Sequence, residues 1–373
     1  MSFLIDSFAA ITWQQVVMIM IGGLLIFLAI KKDMEPALLL PMGFGAILVN
    51  LPFSSVVDSE SAVGIIDWLF KGGIVASEFM PLVLFIAIGA MIDFGPLLAD
   101  PKLFLFGAAA QFGIFATILL ASLCGFDLAD SASIGIIGAA DGPTSIFVAI
   151  KLASKYVGPI MVVAYSYMAL VPIIQPTVIK CITTKKERKI KMDYNPNQIS
   201  KTTKILFPII VTIVAGLIAP MSIALVGFLM FGNLIRECGV LNSLSETAQN
   251  VLANLVTLLL GLTIASQMQA AKFINWQTLM IMGLGLFAFV FDTVSGVMLA
   301  KLMNLFTKKK INPMIGAAGI SAFPMSARVV HKMGLKEDPH NYLLMHSIGC
   351  NVSGQVASAI AGGIVLSLVP GLL

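Results

Sequence analysis

Charged residues are scarce in this chain. They make up 11% of its 373 residues, whereas hydrophobic residues make up 58%, and the mean hydropathy is +0.97. A soluble protein of this size needs a larger polar fraction to cover its surface. The composition therefore excludes a soluble globular protein and predicts an integral membrane protein that crosses the bilayer several times.

Cysteine and histidine are also few, with four and three residues respectively. No two cysteines have CxxC spacing, and the histidines lack ligand spacing to any cysteine or carboxylate. This pattern predicts neither a disulfide framework nor a zinc site. The net charge of +4 comes largely from short basic loops, so it does not indicate nucleic-acid binding.

Apolar segments dominate the rest of the sequence. None shows the two-residue alternation of a membrane β-barrel, so helices are expected. The apolar segments run from 15 to 30, 37 to 51, 79 to 92, 103 to 123, 157 to 179, 205 to 219, 222 to 235, 252 to 265, 279 to 302 and 342 to 372. Together they predict an all-α polytopic protein with about ten spanning or partly spanning segments.

Lysine and arginine concentrate in few places. Lys31 and Lys32 end the first apolar segment, and the hydrophilic loop 183–204 is rich in both residue types. The positive-inside rule places both clusters in the cytoplasm. An even number of spans must then separate them, but five apolar or glycine-rich segments lie between. We therefore expect one of the five to be broken or re-entrant.

The best candidate for that segment is 131–150. Its Gly135, Gly138, Gly142 and Pro143 disfavour a continuous helix, and it carries one carboxylate, Asp141. An ionisable side chain inside a membrane is costly, and it usually marks a functional site.

An internal repeat supports this interpretation. The string Ile137-Gly138-Ala139-Ala140 returns as Ile315-Gly316-Ala317-Ala318, and a proline follows each copy. Paired interruptions in two halves are typical of inverted-repeat transporters, whose sites lie near the bilayer midplane. We predict one membrane domain, 1–373, with a first half at 1–182, a basic cytoplasmic loop at 183–204, and a second half at 205–373 broken at 312–328. Asp141 aligns with Gly319, so the second half must supply neutral ligands.

These residues carry a resemblance to a known family. The string Gly138-Ala139-Ala140-Asp141-Gly142-Pro143-Thr144, the segment 312–328 and Asn351-Val352-Ser353-Gly354 resemble the β subunit of the biotin-dependent, sodium-pumping decarboxylases. That family includes the oxaloacetate, methylmalonyl-CoA, glutaconyl-CoA and malonate enzymes. The resemblance extends over nearly the whole chain. It departs at Ala139, where glycine is usual, which could alter the turn without removing a ligand.

The resemblance implies specific site residues. It makes Asp141, Tyr167 and Arg328 catalytic and assigns the binding of carboxybiotin to Gly316, Ser321 and Arg328. It also implies sodium ligands from both halves, which are Asp141, Asn312, Ser321 and Asn351, and we add the neighbouring Thr144.

Elementary chemistry is consistent with these roles. Sodium is a hard cation that prefers oxygen ligands, which carboxylate, amide and hydroxyl groups supply. A guanidinium such as that of Arg328 can bind the carboxylate of carboxybiotin with two parallel hydrogen bonds. Tyr167 could donate the proton that decarboxylation consumes, and sodium could displace a proton from Asp141 or Tyr167.

Structural alternatives remain open for each residue. Asp141 could form a structural ion pair with Arg328, and Arg328 could instead be a cytoplasmic topology anchor. Tyr167, like Tyr165 beside it, could lie at the membrane interface. The neutral polar residues could simply hydrogen-bond neighbouring helices.

The family resemblance implies a catalytic membrane subunit that decarboxylates carboxybiotin, consumes a proton and exports sodium across the bacterial inner membrane. Biotin must come from a biotin carrier and carboxyltransferase subunit, because the chain has no Ala-Met-Lys-Met string. A small single-span subunit and several copies of this chain are further expected partners. The alternative is a secondary sodium-coupled transporter or a sodium/proton antiporter that works alone.

Overall fold

The computed structural model of the protein describes residues 9–59, 62–192 and 199–372. Part of the predicted basic loop, residues 193–198, lies outside this description. The described residues form helices and turns and contain no strand. The predicted all-α membrane fold is confirmed.

The helices are named here in chain order. The first half contains α1 Trp13–Lys32, α2 Pro36–Asn50, α3 Ile65–Phe70, α4 Phe79–Met91, α5 Gly95–Ala99, α6 Phe104–Ala110, α7 Phe112–Leu123, α8 Leu128–Gly135, α9 Gly142–Lys151 and α10 Val157–Ile182. The basic loop and second half contain α11 Lys185–Arg188, α12 Lys201–Ile218, α13 Ile223–Glu237, α14 Asn242–Thr247, α15 Ala253–Ile264, α16 Ala270–Phe273, α17 Trp276–Phe306, α18 Met314–Ala317, α19 Met325–Glu337 and α20 Leu344–Leu368.

Shorter turns link or extend these helices. Turns of 3₁₀ type occur at Pro101–Leu103, Ile136–Ala139, Pro220–Ser222, Ala265–Met268 and Val369–Gly371, and π turns occur at Lys71–Ala76 and Ala248–Leu252. The 3₁₀ turn Ile136–Ala139 directly precedes Ala140 and Asp141, so it lies within the predicted break.

Within the described residues, seven helical segments are long and apolar enough to cross a membrane. An eighth is possible if Ile65–Ala76 and Phe79–Met91, which bend by 71° against each other, form one broken span. The remaining apolar segments are shorter, such as α2 with 15 residues. At 1.5 Å per residue such a helix is shorter than the hydrocarbon thickness, so these segments fall below the length of a full span.

Both predicted interruptions are present. The segment 131–150 divides into α8, the turn Ile136–Ala139 and α9. In the second half, the residues between the end of α17 at Phe306 and the start of α19 at Met325 contain only the single helical turn α18. The backbone N–H of Ser321 donates to the carbonyl of Ala139 over 3.2 Å, so the two breaks meet. The inverted relation of the two halves stays a prediction.

The two basic clusters lie on the same side of the molecule. Asp33, which follows Lys32, and Lys180, which precedes the basic loop, line one cavity. The buried Arg188 fixes the loop, because its Nε donates to Glu337 over 2.7 Å and its guanidinium donates to the Thr183 carbonyl over 2.6 Å. The first basic cluster and the basic loop thus lie on one side of the protein, as the positive-inside rule predicts.

Candidate functional site

Local sequence creates the break at Asp141. Ala140 adopts a left-handed conformation with φ 53°, which ends the 3₁₀ turn, and Pro143 lies in the first turn of α9, where its missing N–H is tolerated. Asp141 is the N-cap residue of α9 and is 2% exposed. The helix dipole favours a negative charge at this end. The break thus places a carboxylate inside the protein, next to a helix N-terminus.

Two hydroxyl groups hold the Asp141 carboxylate. Thr144 Oγ1 donates to Oδ2 over 2.6 Å, and Ser358 Oγ on α20 donates to the same atom over 3.3 Å. Among the described residues no lysine or arginine forms a salt bridge with Asp141, so the structural ion pair with Arg328 is not found. The carboxylate is held by neutral groups, which leaves its charge available for a cation.

Helix α20 connects the second break to this carboxylate. Ser321 Oγ donates to the Gly354 carbonyl over 2.8 Å, and the Asn351 amide donates to the Ile320 carbonyl over 2.6 Å. Gln355 donates from its amide to the Ser321 carbonyl. These bonds fix the irregular backbone of the second break against α20. The site residues of α20 lie within two turns of that helix, from Asn351 to Ser358.

A cavity of about 290 Å³ opens beside the two breaks. Its lining includes Glu35, Asp141, Tyr165, Ser321, Arg328 and Gln355. The Tyr165 hydroxyl and the Gln355 Oε1 atom are buried and have no hydrogen-bond partner among the described residues, and the same holds for Asn351 Oδ1 nearby on α20. Buried polar oxygens normally have partners. The amide oxygens of Asn351 and Gln355, together with the Asp141 carboxylate, form a donor set that suits a hard cation.

Asn312, a predicted sodium ligand, lies elsewhere. Its amide donates to the carbonyls of Arg188 and Ile190 over 2.9 and 2.8 Å, and its Oδ1 accepts from the Met314 N–H over 3.1 Å. The Asn312 side chain thus has partners both at the base of the basic loop and in the second break. The geometry makes Asn312 a structural link between the loop and the second break.

We expect Asn312→Ala and Asn351→Ala to have different effects. Asn312→Ala removes the donor of the Ile190 carbonyl and the acceptor of the Met314 N–H, whereas the Arg188 carbonyl keeps the Asn341 amide as a donor. Each buried group left without a partner costs about 1–3 kcal/mol. Asn312→Ala should therefore lower the melting temperature of the detergent-purified protein, with little change in the sodium concentration for half-maximal activity. Asn351→Ala removes a free oxygen near the cavity and should raise that concentration. Equal sodium dependence in the two variants would contradict this separation.

Gly316, predicted to bind carboxybiotin, is a packing position. A Cβ atom there would lie 2.0 Å from the carbonyl oxygen of Gly296 on α17, so only glycine allows this approach. It does not line the Asp141 cavity. Its contact with α17 positions the segment that leads to Ser321.

The tyrosine in the cavity is Tyr165, whereas sequence analysis selected Tyr167. The Tyr165 ring packs so closely on Gly142 that a Cβ there would lie 2.3 Å from its Cζ atom. Tyr167 lies on α10 and its side chain faces α17, where its hydroxyl donates to the Met282 carbonyl over 2.5 Å. The structure therefore does not bring Tyr167 together with Asp141.

Arg328 lies at the mouth of the cavity, on the first turns of α19. It is exposed and forms no salt bridge within the described part of the chain. Glu35 faces it across the cavity mouth. Burial raises the pKa of the Glu35 carboxyl, while the nearby Arg328 guanidinium acts in the opposite direction. An unpaired guanidinium at this position is available for an anionic group that enters the cavity.

Four residues at or near the site were not predicted from the sequence, namely Glu35, Tyr165, Gln355 and Ser358. A signal did exist for the last two, because Asn351, Gln355 and Ser358 recur at i, i+4 and i+7 and so share one face of α20. The Asp141 cavity is therefore lined by more polar groups than the family motif alone indicates.

Asp292 was also missed. This buried carboxylate lies on α17, where its Oδ1 accepts from the Gly113 N–H over 2.6 Å, and its Oδ2 has no partner in the described part of the chain. A lone carboxylate in a long apolar segment is the same signal that singled out Asp141. Asp292 does not line the cavity and instead joins α17 to the start of α7.

Comparison with known proteins gives one consistent family. The sequence-family model of the Na⁺-transporting oxaloacetate decarboxylase β subunit matches residues 14–369 of this chain. The β subunit of methylmalonyl-CoA decarboxylase from Propionigenium modestum is 46% identical, with 97% of this chain and 96% of that protein aligned. The β subunit of glutaconyl-CoA decarboxylase from Acidaminococcus fermentans is 48% identical, over 98% and 96%. The oxaloacetate decarboxylase β chain from Klebsiella pneumoniae is 44% identical, over 95% of each chain.

Proposed function

Because this chain belongs to the β-subunit family of the Na⁺-transporting decarboxylases, we propose that it decarboxylates carboxybiotin presented by a partner subunit. Carbon dioxide release and the consumption of a proton are coupled to sodium export. The observation that carries the proposal is the meeting of the two breaks beside one buried carboxylate that has only neutral partners. Which acid or acyl-CoA enters the complex is decided on another polypeptide.

In this proposal sodium binds at Asp141 with oxygen ligands from both halves. Thr144, Ser321 and Asn351 come from the predicted set, and Gln355 and Ser358 join them from α20. The support is the shared position of these groups around the two breaks and the unpartnered oxygens of Asn351 and Gln355. A carboxylate with several neutral oxygens neutralises the cation where the bilayer would exclude it.

Carboxybiotin is proposed to enter past Arg328, whose guanidinium binds its carboxylate in a fork. Inside the narrow cavity the carboxylate loses water, which favours breaking of the bond between the ureido nitrogen and the carboxyl carbon. The bonding electrons return to the ureido nitrogen, carbon dioxide leaves, and the nitrogen takes a proton. We assign the donor to the unpartnered Tyr165 hydroxyl, because Tyr167 is engaged outside the cavity.

Sodium and a proton compete for Asp141 in this mechanism. A cation beside a carboxylate favours its ionised form, so the arrival of sodium expels the proton. The released proton can replace the one that Tyr165 donates. Transport and decarboxylation are thereby linked at one site, and neither proceeds without the other.

The proposed setting is a complex in the bacterial inner membrane. Its further members are a biotin carrier and carboxyltransferase subunit, a small single-span subunit and more copies of this chain. The multi-pass fold and the β-subunit family support partner subunits in general. The alternative of a sodium-coupled transporter or antiporter acting alone is less favoured, because the relatives are decarboxylase subunits.

Free carboxybiotin tests the proposed function directly. The purified membrane complex should release carbon dioxide from it, and sodium should stimulate the rate. This chain alone, reconstituted in liposomes without carboxybiotin, should not accumulate sodium in response to a pH gradient. No decarboxylation by the complex, together with sodium uptake by the chain alone, would overturn the proposal in favour of the transporter.

A further inference from the structure

A second and wider cavity lies next to the Asp141 cavity. Its volume is about 430 Å³, and it shares Glu35 and Arg328 with the first. Lys180, at the end of α10, and the end of α19 line its outer part. It therefore forms a vestibule, which adjoins the Asp141 cavity on the side of the two basic clusters.

The vestibule is basic. Arg328, Lys332 and Lys336 are spaced by four residues along α19 and are all exposed, and Lys180 faces them from α10. The lining also contains two carboxylates, Asp33 and Glu35, so four cationic and two anionic side chains give it a formal net charge of +2.

The four cations are unpaired in the described part of the chain, although acidic residues are close in sequence. Glu337 and Asp338, which follow Lys336 directly, instead form salt bridges with Arg188 and Lys191 of the basic loop, at 2.7 and 3.1 Å. Like charges that line a concave surface repel one another and focus a positive potential there. Such a surface favours an anionic partner.

We infer that this vestibule is the docking surface for an acidic face of the biotin carrier domain, with Lys180, Lys332 and Lys336 as its contacts. The inference rests on the proposed function. Exposed charges at the rim of an interface mainly accelerate association and select the partner, whereas Arg328, deeper in the vestibule, meets the carboxybiotin itself. The three lysines thus bring the carrier to the opening without taking part in decarboxylation.

A triple variant, Lys180→Gln, Lys332→Gln and Lys336→Gln, tests this. The variable substrate is the carboxylated biotin carrier subunit, added to the purified membrane complex at low ionic strength. We expect its KM to rise by roughly 10-fold or more, because steering by rim charges changes association rates by such factors. The maximal rate should be unchanged, and added salt should remove the difference from the native protein, since exposed charges are screened.

A second triple variant, Lys185→Gln, Lys186→Gln and Lys189→Gln, is the matched control. It removes the same charge from exposed positions in the basic loop, outside the vestibule, and should leave the KM near that of the native protein. An equal rise in both variants would attribute the effect to general surface charge and overturn the inference. So would an unchanged KM in the vestibule variant.

Free carboxybiotin separates this inference from the proposed function. At saturating concentrations of free carboxybiotin the vestibule variant should reach the native maximal rate, because the three lysines take no part in the reaction. A parallel loss with free carboxybiotin would place the lysines in the reaction and contradict the docking role. Failure of the native complex to decarboxylate free carboxybiotin would instead refute the proposed function.

Discussion

Asp141→Asn should abolish sodium-stimulated decarboxylation and sodium transport together. Asparagine keeps the size of the side chain but removes the charge that balances a buried sodium ion. Loss of one charged partner from a buried ion pair costs about 3 kcal/mol or more, which corresponds to a fall of at least roughly 100-fold in sodium affinity. Release of carbon dioxide from free carboxybiotin, and sodium uptake into proteoliposomes driven by the native substrate, measure the two activities.

Asp127→Asn provides the control. Asp127 caps α8 in the same helical hairpin and is half exposed, where it forms a surface salt bridge with Lys155 at 3.1 Å. Surface pairs of this kind contribute about 1 kcal/mol or less, so both activities should stay near the native level. Sodium pumping that survives in Asp141→Asn, in protein with an unchanged melting temperature, would exclude Asp141 as the coupling residue.

The position of Asp141 could be predicted because it depends on local chemistry. Glycine and proline interrupt a helix wherever they cluster, and a carboxylate beside such an interruption stands out from apolar surroundings. The repeated Ile-Gly-Ala-Ala string then predicted a second break. The hydrogen bond from Ser321 to Ala139 confirms that the two interruptions meet.

Tyr165 could not be predicted in this way, because the sequence of α10 does not fix its orientation. Residues two positions apart point to nearly opposite sides of a helix, and α10 is apolar on most of its surface, so no polar stripe shows which side faces the cavity. Packing on Gly142 directs Tyr165 inward and leaves Tyr167 toward α17. Asn312 illustrates the same limit, since its partners belong to a loop more than 100 residues away in sequence.

The number of full spans could not be predicted from the sequence for a related reason. Hydropathy identifies α2 and α13 as apolar, but each has 15 residues. Their exposed and buried faces become clear only once their neighbours are known. The irregular backbone at 136–141 and 318–322 consists of buried residues, so it is enclosed by protein, which is where such backbone is tolerated in a membrane.

The second large effect is expected from Tyr165→Phe. This change removes the hydroxyl that faces the cavity without altering the packing of the ring on Gly142. Loss of a positioned proton donor slows a reaction by about 100-fold or more. Single-turnover release of carbon dioxide from free carboxybiotin should fall by such a factor, while equilibrium binding of radioactive sodium should stay near the native value, because Asp141 and its partners are intact.

Tyr167→Phe is the matched comparison, since it removes the same atom two residues away. It breaks the hydrogen bond to the Met282 carbonyl, which contributes about 1 kcal/mol to stability, and should leave turnover within a few-fold of native. The opposite result, with Tyr167→Phe inactive but folded and Tyr165→Phe active, would reject Tyr165 as donor. The role would then return to Tyr167, as the family resemblance implies, and α10 would have to rotate during turnover to bring its hydroxyl to the cavity.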